Sequence, residues 1–385
     1  MKRIIPLAFL LIASPVQAQT VKWFSGQETG DFSELATNSG CATLTAANAF
    51  TGAYAWQCTN GGAGSFVKTP TGFSASPVGV RMRLNPGSLP GGHIQNMAQI
   101  INAADTKFFS VFITAANKLA WGHNNNTAIA TGGTTLTTAT FHLVEINCVI
   151  SASVGGCEVK LDGNTEFTSF GTDTSDISSV DHVYFVVSTS AGSDVLVWDD
   201  VMVCSGGYCP AGRTIARQGT SATPTYNAWT KAGTCSGGNI STCWSATPFS
   251  TAASATSAVA ADAQTMLVSP FNATQTGHGT EVLNIHDTVN ACKTAGIIKS
   301  GTAAAPLSLR RRINGTDTDT AKTLTTSDAY YDDGIWTTSG DNLSNHTPEI
   351  GVLHGTGVAT DTVEDMWLIC DYLAVTVPTR HRVTQ

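Results

Sequence analysis

The chain has 385 residues, of which 42% are hydrophobic and only 12% are charged, and its formal net charge is −8. The hydrophobic content excludes an intrinsically disordered chain, and the absence of a basic stripe argues against a nucleic acid as partner. A chain of this length suggests two domains, because a domain typically holds about 100–200 residues.

The first 18 residues have the pattern of a secretory signal peptide. Lys2 and Arg3 precede an apolar stretch from Ile4 to Ala13, and the small-residue sequence Val16-Gln17-Ala18 predicts cleavage before Gln19. The alternative is a buried N-terminal strand. No later apolar run approaches the roughly 20 residues of a membrane span. We therefore expect a secreted protein, extracellular or on the cell surface, with no membrane span.

Alternating or continuously apolar runs predict β-strands along the whole chain. In the first half the predicted strands are Val80–Leu84, Phe109–Ile113, Val144–Ile150, Glu158–Leu161, Val183–Val187 and Val195–Val203. In the second half they are Tyr226–Trp229, Val282–Val289, Leu307–Ile313, Gly351–Leu353 and Met366–Val377. Almost no 3.6-residue periodicity is sustained. Short strands separated by Gly, Asn and Thr turns, such as Asp162-Gly163, are typical of an all-β sandwich or jelly roll.

A change of pattern after Cys204 divides the chain. Residues 206–224 lack strand alternation and are interpreted as a linker. The predicted organisation is a signal peptide (1–18), a β-sandwich (19–205), the linker (206–224), a second β-sandwich (225–378) and a tail (379–385). The fold class is thus all-β, with two β-sandwich, jelly-roll domains in tandem.

Ten cysteines in an exported protein predict a disulfide framework. Four pairs are close in sequence and the fifth is what remains, which gives Cys41–Cys58, Cys148–Cys157, Cys204–Cys209, Cys235–Cys243 and Cys292–Cys370. Metal-bound thiolates are the alternative, but the C-x-x-C spacing that favours them is absent.

Two segments of the first half, Trp23–Phe32 and Val195–Val203, resemble the opening and closing strands of concanavalin-A-like or laminin-G-like sandwich modules. This resemblance implies that the two terminal strands lie side by side. In the second half, four segments are similar to the second, jelly-roll-like domain of some phage virion or tail-associated proteins and secreted bacterial proteins: Ser308–Thr316, Tyr330–Asp332, Pro348–Val352 and Glu364–Leu368. The signal peptide and the cysteines depart from a phage protein assembled in the cytoplasm.

The same resemblance implies a metal site. Pairing of the terminal strands would bring Glu28 or Asp31 towards Asp199 or Asp200, and related carbohydrate-binding sandwiches often hold a structural calcium ion at such a junction. Calcium takes several oxygen ligands, which these carboxylates supply. The alternative is that they are ordinary exposed strand residues. No other cofactor is expected.

A glycan site is predicted at Trp121, His123, Asn124 and Asn125. An aromatic face beside amides suits a sugar, whose C–H groups stack on the ring while its hydroxyls bond the amides. The alternative is a core or hairpin tryptophan followed by an ordinary Asn-rich turn.

No motif predicts catalysis. The E-x-D-x-E strand of sandwich-fold glycosidases is absent, and the nearest same-face pair, Asp317 and Asp319, follows an Asn-Gly turn. Gly233–Gly237 superficially resembles a nucleophile elbow but lacks a preceding buried strand. The neighbouring Arg310–Arg312 run is interpreted as a solvated or edge strand, or as a cluster that meets an acidic neighbour.

We therefore expect a secreted, non-catalytic structural or adhesive protein, a self-assembling component of an extracellular surface, filament or particle. The alternative is a lectin-like glycan-binding protein, and a glycan-degrading enzyme is the third reading. The expected partners are other copies of the chain or surface glycans.

Overall fold

A computed structural model of the protein describes residues 19–27, 29–45, 48–60, 64–187, 194–220, 224–233, 235, 239–244, 253–268, 271, 283, 287–356 and 359–374. The predicted signal peptide (1–18) and tail (379–385) lie outside the described residues. Within the described ranges, no helix is long and apolar enough to cross a membrane.

The first half folds into a sandwich of two antiparallel sheets. In chain order its strands are β1 (Thr20–Ser25), β2 (Thr37–Ser39), β3 (Cys41–Thr45), β4 (Tyr54–Thr59), β5 (Ser65–Lys68), β6 (Val78–Pro86), β7 (Gln95–Ile101), β8 (Phe108–Ile113), β9 (Lys118–His123), β10 (Ala130–Thr135), β11 (His142–Val149), β12 (Gly155–Leu161), β13 (Asn164–Thr172), β14 (His182–Val187) and β15 (Val195–Ser205). Sheet I has the order β13-β12-β11-β6-β15-β4-β3, and β1 also pairs with β15. Sheet II has the order β10-β9-β8-β7-β14-β5-β2.

Alternation along each strand places one apolar face of each sheet in a shared core. In β6, Val80, Met82 and Leu84 are fully buried in that core, while Arg81 and Arg83 belong to the opposite face of sheet I. Large aromatic side chains fill the space between the sheets: Trp23, Trp56, Phe109, Trp121, Phe185 and Trp198. Full burial of such a side chain stabilises the fold by roughly 1.5–3 kcal/mol.

The second half also contains two antiparallel sheets. Its strands are β16 (Arg213–Arg217), β17 (Thr230–Gly233), β18 (Ala253–Ser257), β19 (Ala263–Leu267), β20 (Thr288–Ser300), β21 (Ala305–Ile313), β22 (Thr316–Leu324), β23 (Ala329–Asp332), β24 (Glu349–His354) and β25 (Asp361–Leu373), with short helices α1 (Ile240–Cys243) and α2 (Gly340–Ser344). Sheet III has the order β17-β18-β25-β20-β23, with β16 also paired to β25, and sheet IV has the order β19-β24-β21-β22. A second apolar core lies between them. The all-β fold class is confirmed.

The predicted hairpin turns have the backbone that their sequences require. Asp162 and Gly163 have φ values of 52° and 81°, and Asn314 and Gly315 have φ values of 48° and 79°. Two consecutive residues with positive φ define the type I′ turn, which matches the right-handed twist of the flanking strands. These turns close the β12–β13 and β21–β22 hairpins, in which Leu161 is paired with Asn164 and Ile313 with Thr316.

All five predicted disulfides are present: Cys41–Cys58, Cys148–Cys157, Cys204–Cys209, Cys235–Cys243 and Cys292–Cys370. Three of them join directly opposed residues of neighbouring strands, namely β3–β4, β11–β12 and β20–β25. Each sandwich is therefore crosslinked within itself, and no described disulfide joins the two halves.

The terminal strands of the first sandwich lie side by side, as the sequence resemblance implies. Strand β1 pairs antiparallel with the second part of β15, from Val201 to Ser205, whereas β4 pairs with its first part, from Val195 to Trp198. The change of partner falls at Asp199 and Asp200, where β15 also slips its register against β6. This slip is a β-bulge, and Asp200 has a positive φ of 46° within it.

The two sandwiches pack face to face, which gives four successive β layers. The outer face of sheet I meets the outer face of sheet III through a third apolar cluster. From sheet I and the loop after it the cluster takes Phe24, Met202, Cys204 and Cys209, and from sheet III it takes Ala216, Ala291, Ala295, Ile297, Trp367 and Ile369. Burial of this apolar surface holds the halves together as one body.

Two buried ion pairs cross the same interface. The Arg81 guanidinium forms a bidentate pair with the Asp371 carboxylate, and both side chains are 0% exposed. The Lys293 ammonium bonds the Glu34 carboxylate at 2.6 Å and the Phe24 carbonyl oxygen at 3.0 Å. Burial lowers the pKa of the Arg81 guanidinium, whereas the neighbouring Asp371 carboxylate raises it. The net result is a raised pKa of Arg81. For Asp371 burial is the larger influence and raises the pKa of that carboxyl.

Three sequence interpretations need correction. The predicted linker (206–224) contains strand β16, which pairs with β25, because residues 213–217 complete sheet III. Tyr226–Trp229 is not a strand and forms only an isolated bridge through Asn227, with β17 beginning at Thr230. The Arg310–Arg312 run is not an edge strand, because β21 lies between β22 and β24. Half of Val282–Val289 lies outside the described residues, and strand β20 begins at Thr288.

The buried pair Arg81–Asp371 yields a stability prediction. Asp371→Asn leaves the Arg81 guanidinium buried without a counter-charge, so we expect the free energy of unfolding to fall by about 3–5 kcal/mol. The double variant Arg81→Met/Asp371→Leu removes both charges and should recover most of that loss. Chemical denaturation measures both. Arg312→Gln, which breaks a partly exposed pair, is the control and should change stability by about 1 kcal/mol or less.

Candidate functional site

Among the described residues, three clefts open at the junction of the two sandwiches. Each takes some of its lining from the first half of the chain and some from the second. The largest has a volume of about 480 Å³ and contains Gln19, Thr20, Asn290, Ile335, Trp336 and Thr337 in its wall. A second, of about 310 Å³, lies beside Lys293 and Asp332, and a third, of about 250 Å³, lies beside Arg83 and Arg213. Packing of sheet I on sheet III therefore creates concave surface that neither sandwich has alone.

Trp336 in the largest cleft is held rigidly. Its backbone exchanges two hydrogen bonds with Cys292, at 2.7 and 2.9 Å, next to the Cys292–Cys370 disulfide. Its indole N–H donates to the Asp333 carboxylate at 3.2 Å. The Arg311 guanidinium covers one face of the ring, 4.6 Å from the ring centroid. The ring remains partly exposed, and its neighbour Ile335 is 38% exposed.

Polar side chains share the wall of this cleft with the Trp336 ring. The Asn290 amide nitrogen donates to the Ala211 carbonyl oxygen at 2.9 Å and to the Asp371 carboxylate at 2.7 Å, which fixes the side chain. The Asn290 side-chain oxygen is then left to accept a hydrogen bond from a ligand. Gly212 makes this close approach feasible, because a Cβ there would lie 2.5 Å from the Asp371 carboxylate. Thr20 and Thr337 add exposed hydroxyls.

Of the predicted metal residues, the three that the structure describes, Asp31, Asp199 and Asp200, do not form a group placed to hold a metal ion. Glu28 lies outside the described residues. Asp31 accepts hydrogen bonds from the Ser33 N–H and from the Thr29 hydroxyl, at 2.9 and 3.2 Å. Within the part of the chain that the structure describes, no group of three His, Cys, Asp or Glu side chains is placed to hold a metal ion.

Asp199 and Asp200 are buried, not exposed on the strand. Asp199 accepts hydrogen bonds from the backbone N–H groups of Phe50 and Thr51, at 2.7 and 3.0 Å. Asp200 accepts from the Thr51 hydroxyl at 2.6 Å and from the Thr214 N–H at 2.8 Å. The pair therefore ties the loop before β4 and the start of β16 to the bulge in β15.

Burial raises the pKa values of both carboxyls. The pKa of Asp199 lies well above its ordinary value because of burial and the neighbouring Asp200 charge. Burial raises the pKa of Asp200 to about 6. The donors around the pair are backbone N–H and hydroxyl groups, and the Arg81 guanidinium also lies close enough to lower the pKa of Asp200. One oxygen, Asp200 Oδ2, is buried without a hydrogen-bond partner. This donor set fits a carboxyl in a polar pocket better than the ligand set of a calcium ion, and calcium stays a prediction.

The predicted glycan residues are structural in their contacts. Trp121 is fully buried in the core between sheets I and II, so the prediction that its ring stacks on a sugar is wrong. The His123 ring and the Asn124 amide both bond the Asp176 carboxylate at 2.8 Å. Asn125 accepts from the Thr127 N–H at 2.8 Å. The sequence pattern identified an inward-facing position of β9 followed by a tight turn.

The carboxylates considered for catalysis are neutralised. Asp319 bonds the Arg310 guanidinium twice at 2.7 Å, and Asp317 bonds Arg312 at 2.7 Å. His354 and Asp361 form a buried pair at 2.6 Å, but the other ring nitrogen of His354 is buried without a partner. Among the described residues, no hydroxyl or thiol is bonded to that nitrogen as a nucleophile would be.

No family model matches this sequence, and no curated protein is similar to it in sequence. Similar solved structures include the cellulose induced protein Cip1, at 18% identity and a TM-score of 0.38, over 47% of this chain and 96% of that one. A carbohydrate esterase from a Shiga toxin-encoding bacteriophage is similar at 13% identity and a TM-score of 0.37, over 49% of this chain and 99% of that one.

Domain 4 of AbnA, an extracellular GH43 arabinanase from Geobacillus stearothermophilus, solved with arabinotriose, is similar at 12% identity and a TM-score of 0.34, over 49% of this chain and 94% of that one. All three TM-scores lie below 0.5, so none of these likenesses bears on what this chain binds. The narrower concanavalin-A-like or laminin-G-like assignment stays a prediction.

The Asp199–Asp200 pair yields a pH prediction. Because the folded state holds a proton on Asp200 up to about pH 6, and the unfolded state releases it near 3.8, the free energy of unfolding should fall as pH rises across that window. The expected fall is on the order of 2–3 kcal/mol. Asp200→Asn keeps an acceptor oxygen for Thr214 and should reduce the fall, because only the contribution of Asp199, whose pKa is also raised, then remains at this pair. Denaturation in excess chelator at several pH values measures it.

Calcium at this pair has the opposite consequence. A bound ion favours the ionised carboxylates, so wild-type stability in calcium would rise with pH, and Asp200→Asn would lose the response to calcium. That outcome would contradict the protonated pair and support the predicted metal site.

Proposed function

We propose that this protein is an extracellular, non-catalytic glycan-binding protein that holds its ligand in the cleft beside Trp336. The observation that carries the proposal is a partly exposed tryptophan in the wall of a cleft of about 480 Å³. This side chain is held by hydrogen bonds at its backbone and its indole N–H, and by a guanidinium group over one ring face. A pre-positioned ring loses little conformational freedom on binding, so more of the contact energy appears as affinity.

The chemistry of the cleft suits a neutral sugar. The exposed part of the Trp336 ring offers an apolar surface for the C–H face of a pyranose or furanose, while the rest of the side chain packs against the second core. Asn290, Thr20 and Thr337 offer amide and hydroxyl groups within the same wall. Binding sites of this kind combine apolar walls with a few placed polar groups that orient the ligand.

The same cleft lacks the means for acid–base chemistry. Its described lining residues include no Asp, Glu, His, Lys or Arg. Glycoside hydrolysis needs two carboxyl groups on either side of the scissile bond. A ligand seated here meets aromatic, apolar, amide and hydroxyl groups only, and this supports binding without turnover.

The five disulfides support the proposed location. Disulfides form and persist in oxidising compartments, and they are rare in cytosolic proteins. Together with the signal-peptide pattern, they favour action outside the cell.

A second candidate function is assembly with other copies of the chain, and strand β22 favours it. This nine-residue strand has β21 on one side only, and most of its residues are at least partly exposed. Pairing of Asp317 and Asp319 with arginines reduces the charge that keeps edge strands apart. A second copy could add a strand to this edge through main-chain hydrogen bonds.

The Trp336 proposal is tested by ligand binding. A glycan array of neutral oligosaccharides identifies a ligand, and titration calorimetry then compares variants. Trp336→Ala should weaken binding by about tenfold or more, because a buried aromatic anchor dominates such contacts. Phe170→Ala removes an aromatic that is 42% exposed on the first sandwich and should bind as wild type does. Full affinity in Trp336→Ala, with an unchanged melting temperature, would refute the site.

The assembly candidate is tested separately. It predicts oligomers of the native, tag-free protein by light scattering and microscopy. Thr320→Pro places a proline in the middle of β22 and should abolish them, since proline cannot take part in strand pairing. Because this residue also pairs with β21, circular dichroism must show that the fold survives. A protein that stays monomeric at high concentration would exclude the assembly function.

A further inference from the structure

Two arginines without acidic partners share one aromatic ring at the third junction cleft. The guanidinium carbons of Arg83 and Arg213 lie 4.2 and 5.5 Å from the centroid of the Phe50 ring. Arg83 belongs to the outer face of sheet I, and Arg213 begins strand β16 on the other side of the junction. Both line a cleft of about 250 Å³ that also contains Leu143 and Leu373.

Neither arginine forms an ion pair within 4 Å with any described residue. The Arg83 Nε–H is buried and has no acceptor. The carboxylates whose charges raise the pKa of Arg83 have other hydrogen-bond partners: Asp200 accepts from Thr51 and Thr214 through one oxygen, and Asp162 bonds His142 at 2.8 Å. Arg83 is thus a half-buried cation with an orphaned donor.

Arg81 shows what the fold does with a structural arginine at the same place. It lies two residues earlier on the same face of β6, and its guanidinium pairs with the Asp371 carboxylate and donates to the Pro210 carbonyl oxygen at 2.5 Å. Its Nε–H, like that of Arg83, has no acceptor among the described residues, so the two arginines differ in the carboxylate partner and not in that donor. Arg310, Arg311 and Arg312 are also paired with carboxylates. Burial lowers the pKa of Arg83, which expresses the free-energy cost of its unmatched charge.

The buried aspartates hold this arrangement in place. Asp199 fixes the backbone N–H of Phe50, and Asp200 fixes the backbone N–H of Thr214, next to Arg213. The backbone at Phe50 and the backbone next to Arg213 are therefore fixed, and the Phe50 ring lies against both guanidinium groups. Pre-positioned guanidinium groups match the two oxygens of a carboxylate well.

We propose that the Arg83–Arg213 cleft binds the carboxylate of a sugar acid, presented either as a free uronate or as the terminal residue of an acidic polysaccharide. The carboxylate accepts from the two guanidinium groups, and the ring of the sugar lies against Leu143 and Leu373. A volume of about 250 Å³ is just below the range of about 300–1,000 Å³ that is typical of small-molecule sites, so it takes one sugar residue and not an extended chain.

Calorimetry with three probes tests the proposal: galacturonate, an oligogalacturonate and the matching neutral galactose oligomer. We expect both acidic probes to bind and the neutral oligomer not to bind at this cleft. Binding of the oligogalacturonate but not of galacturonate would assign the site to polysaccharide ends. Equal binding of galacturonate and the oligogalacturonate would assign it to free sugar acids. Affinity should fall from about 0.01 M to about 0.15 M salt, because the interaction is charged.

Arg213→Gln should weaken acidic-probe binding by about tenfold or more, and Arg83→Met should do the same. Arg213 is exposed, so its variant should keep the wild-type melting temperature. Lys322→Gln removes the same charge from the distant strand β22 and is the matched control. Unchanged affinity in Arg213→Gln, an equal loss in Lys322→Gln, or equal binding of the neutral oligomer would overturn the proposal.

The test is independent of the Trp336 site. Trp336→Ala should lose neutral glycan and keep oligogalacturonate, while Arg213→Gln should do the reverse. Loss of both ligands in Trp336→Ala would show that the acidic probe binds at Trp336 and would overturn the assignment to Arg83 and Arg213.

Discussion

The contact between sheet I and sheet III is the constraint on which the rest of this structure depends. Each sheet already buries one face in its own sandwich, so a second apolar face on each of them must be covered or left exposed to water. The cluster around Phe24, Met202 and Trp367 covers it. The two sandwiches are consequently stacked, not strung on a linker, and the clefts at their rim exist because of that stacking.

Buried charge gives this contact its geometry. An apolar cluster alone tolerates many relative rotations, but Arg81–Asp371 and Lys293–Glu34 each require a single alignment of strands from opposite sandwiches. Such pairs add little net stability, because desolvation offsets most of their attraction. Their effect is on alignment, and that alignment also places Asn290 in the same cleft wall as Trp336 and Gly212 and Arg213 in the same cleft wall as Arg83.

The bulge at Asp199 and Asp200 links this interface to the clefts. A strand that changes partner from β4 to β1 leaves backbone N–H groups of the adjoining loop without a ladder, and the Asp199 carboxylate accepts two of them. Asp200 also accepts from β16 in the second sheet pair. One dipeptide therefore joins the closing strand of the first sandwich, the Phe50 loop and the entry to the second sandwich.

The sequence by itself determined the all-β class, the hairpin turns at Asp162-Gly163 and Asn314-Gly315, the five disulfides and the pairing of β1 with β15. The first three are local, or they rest on period-two alternation and on cysteine spacing. The pairing of β1 with β15 rests on the resemblance of those two strands to the terminal strands of sandwich modules. It pointed to Asp199 and Asp200 but not to their burial, and it placed the sugar-stacking tryptophan at Trp121, a core residue. Only the tertiary structure decided that β16 joins sheet III, that Trp336 and Arg83 line clefts, and which arginines have partners. Those properties arise between segments that are distant in the chain, and strand alternation cannot show whether an outward face meets water or another sheet.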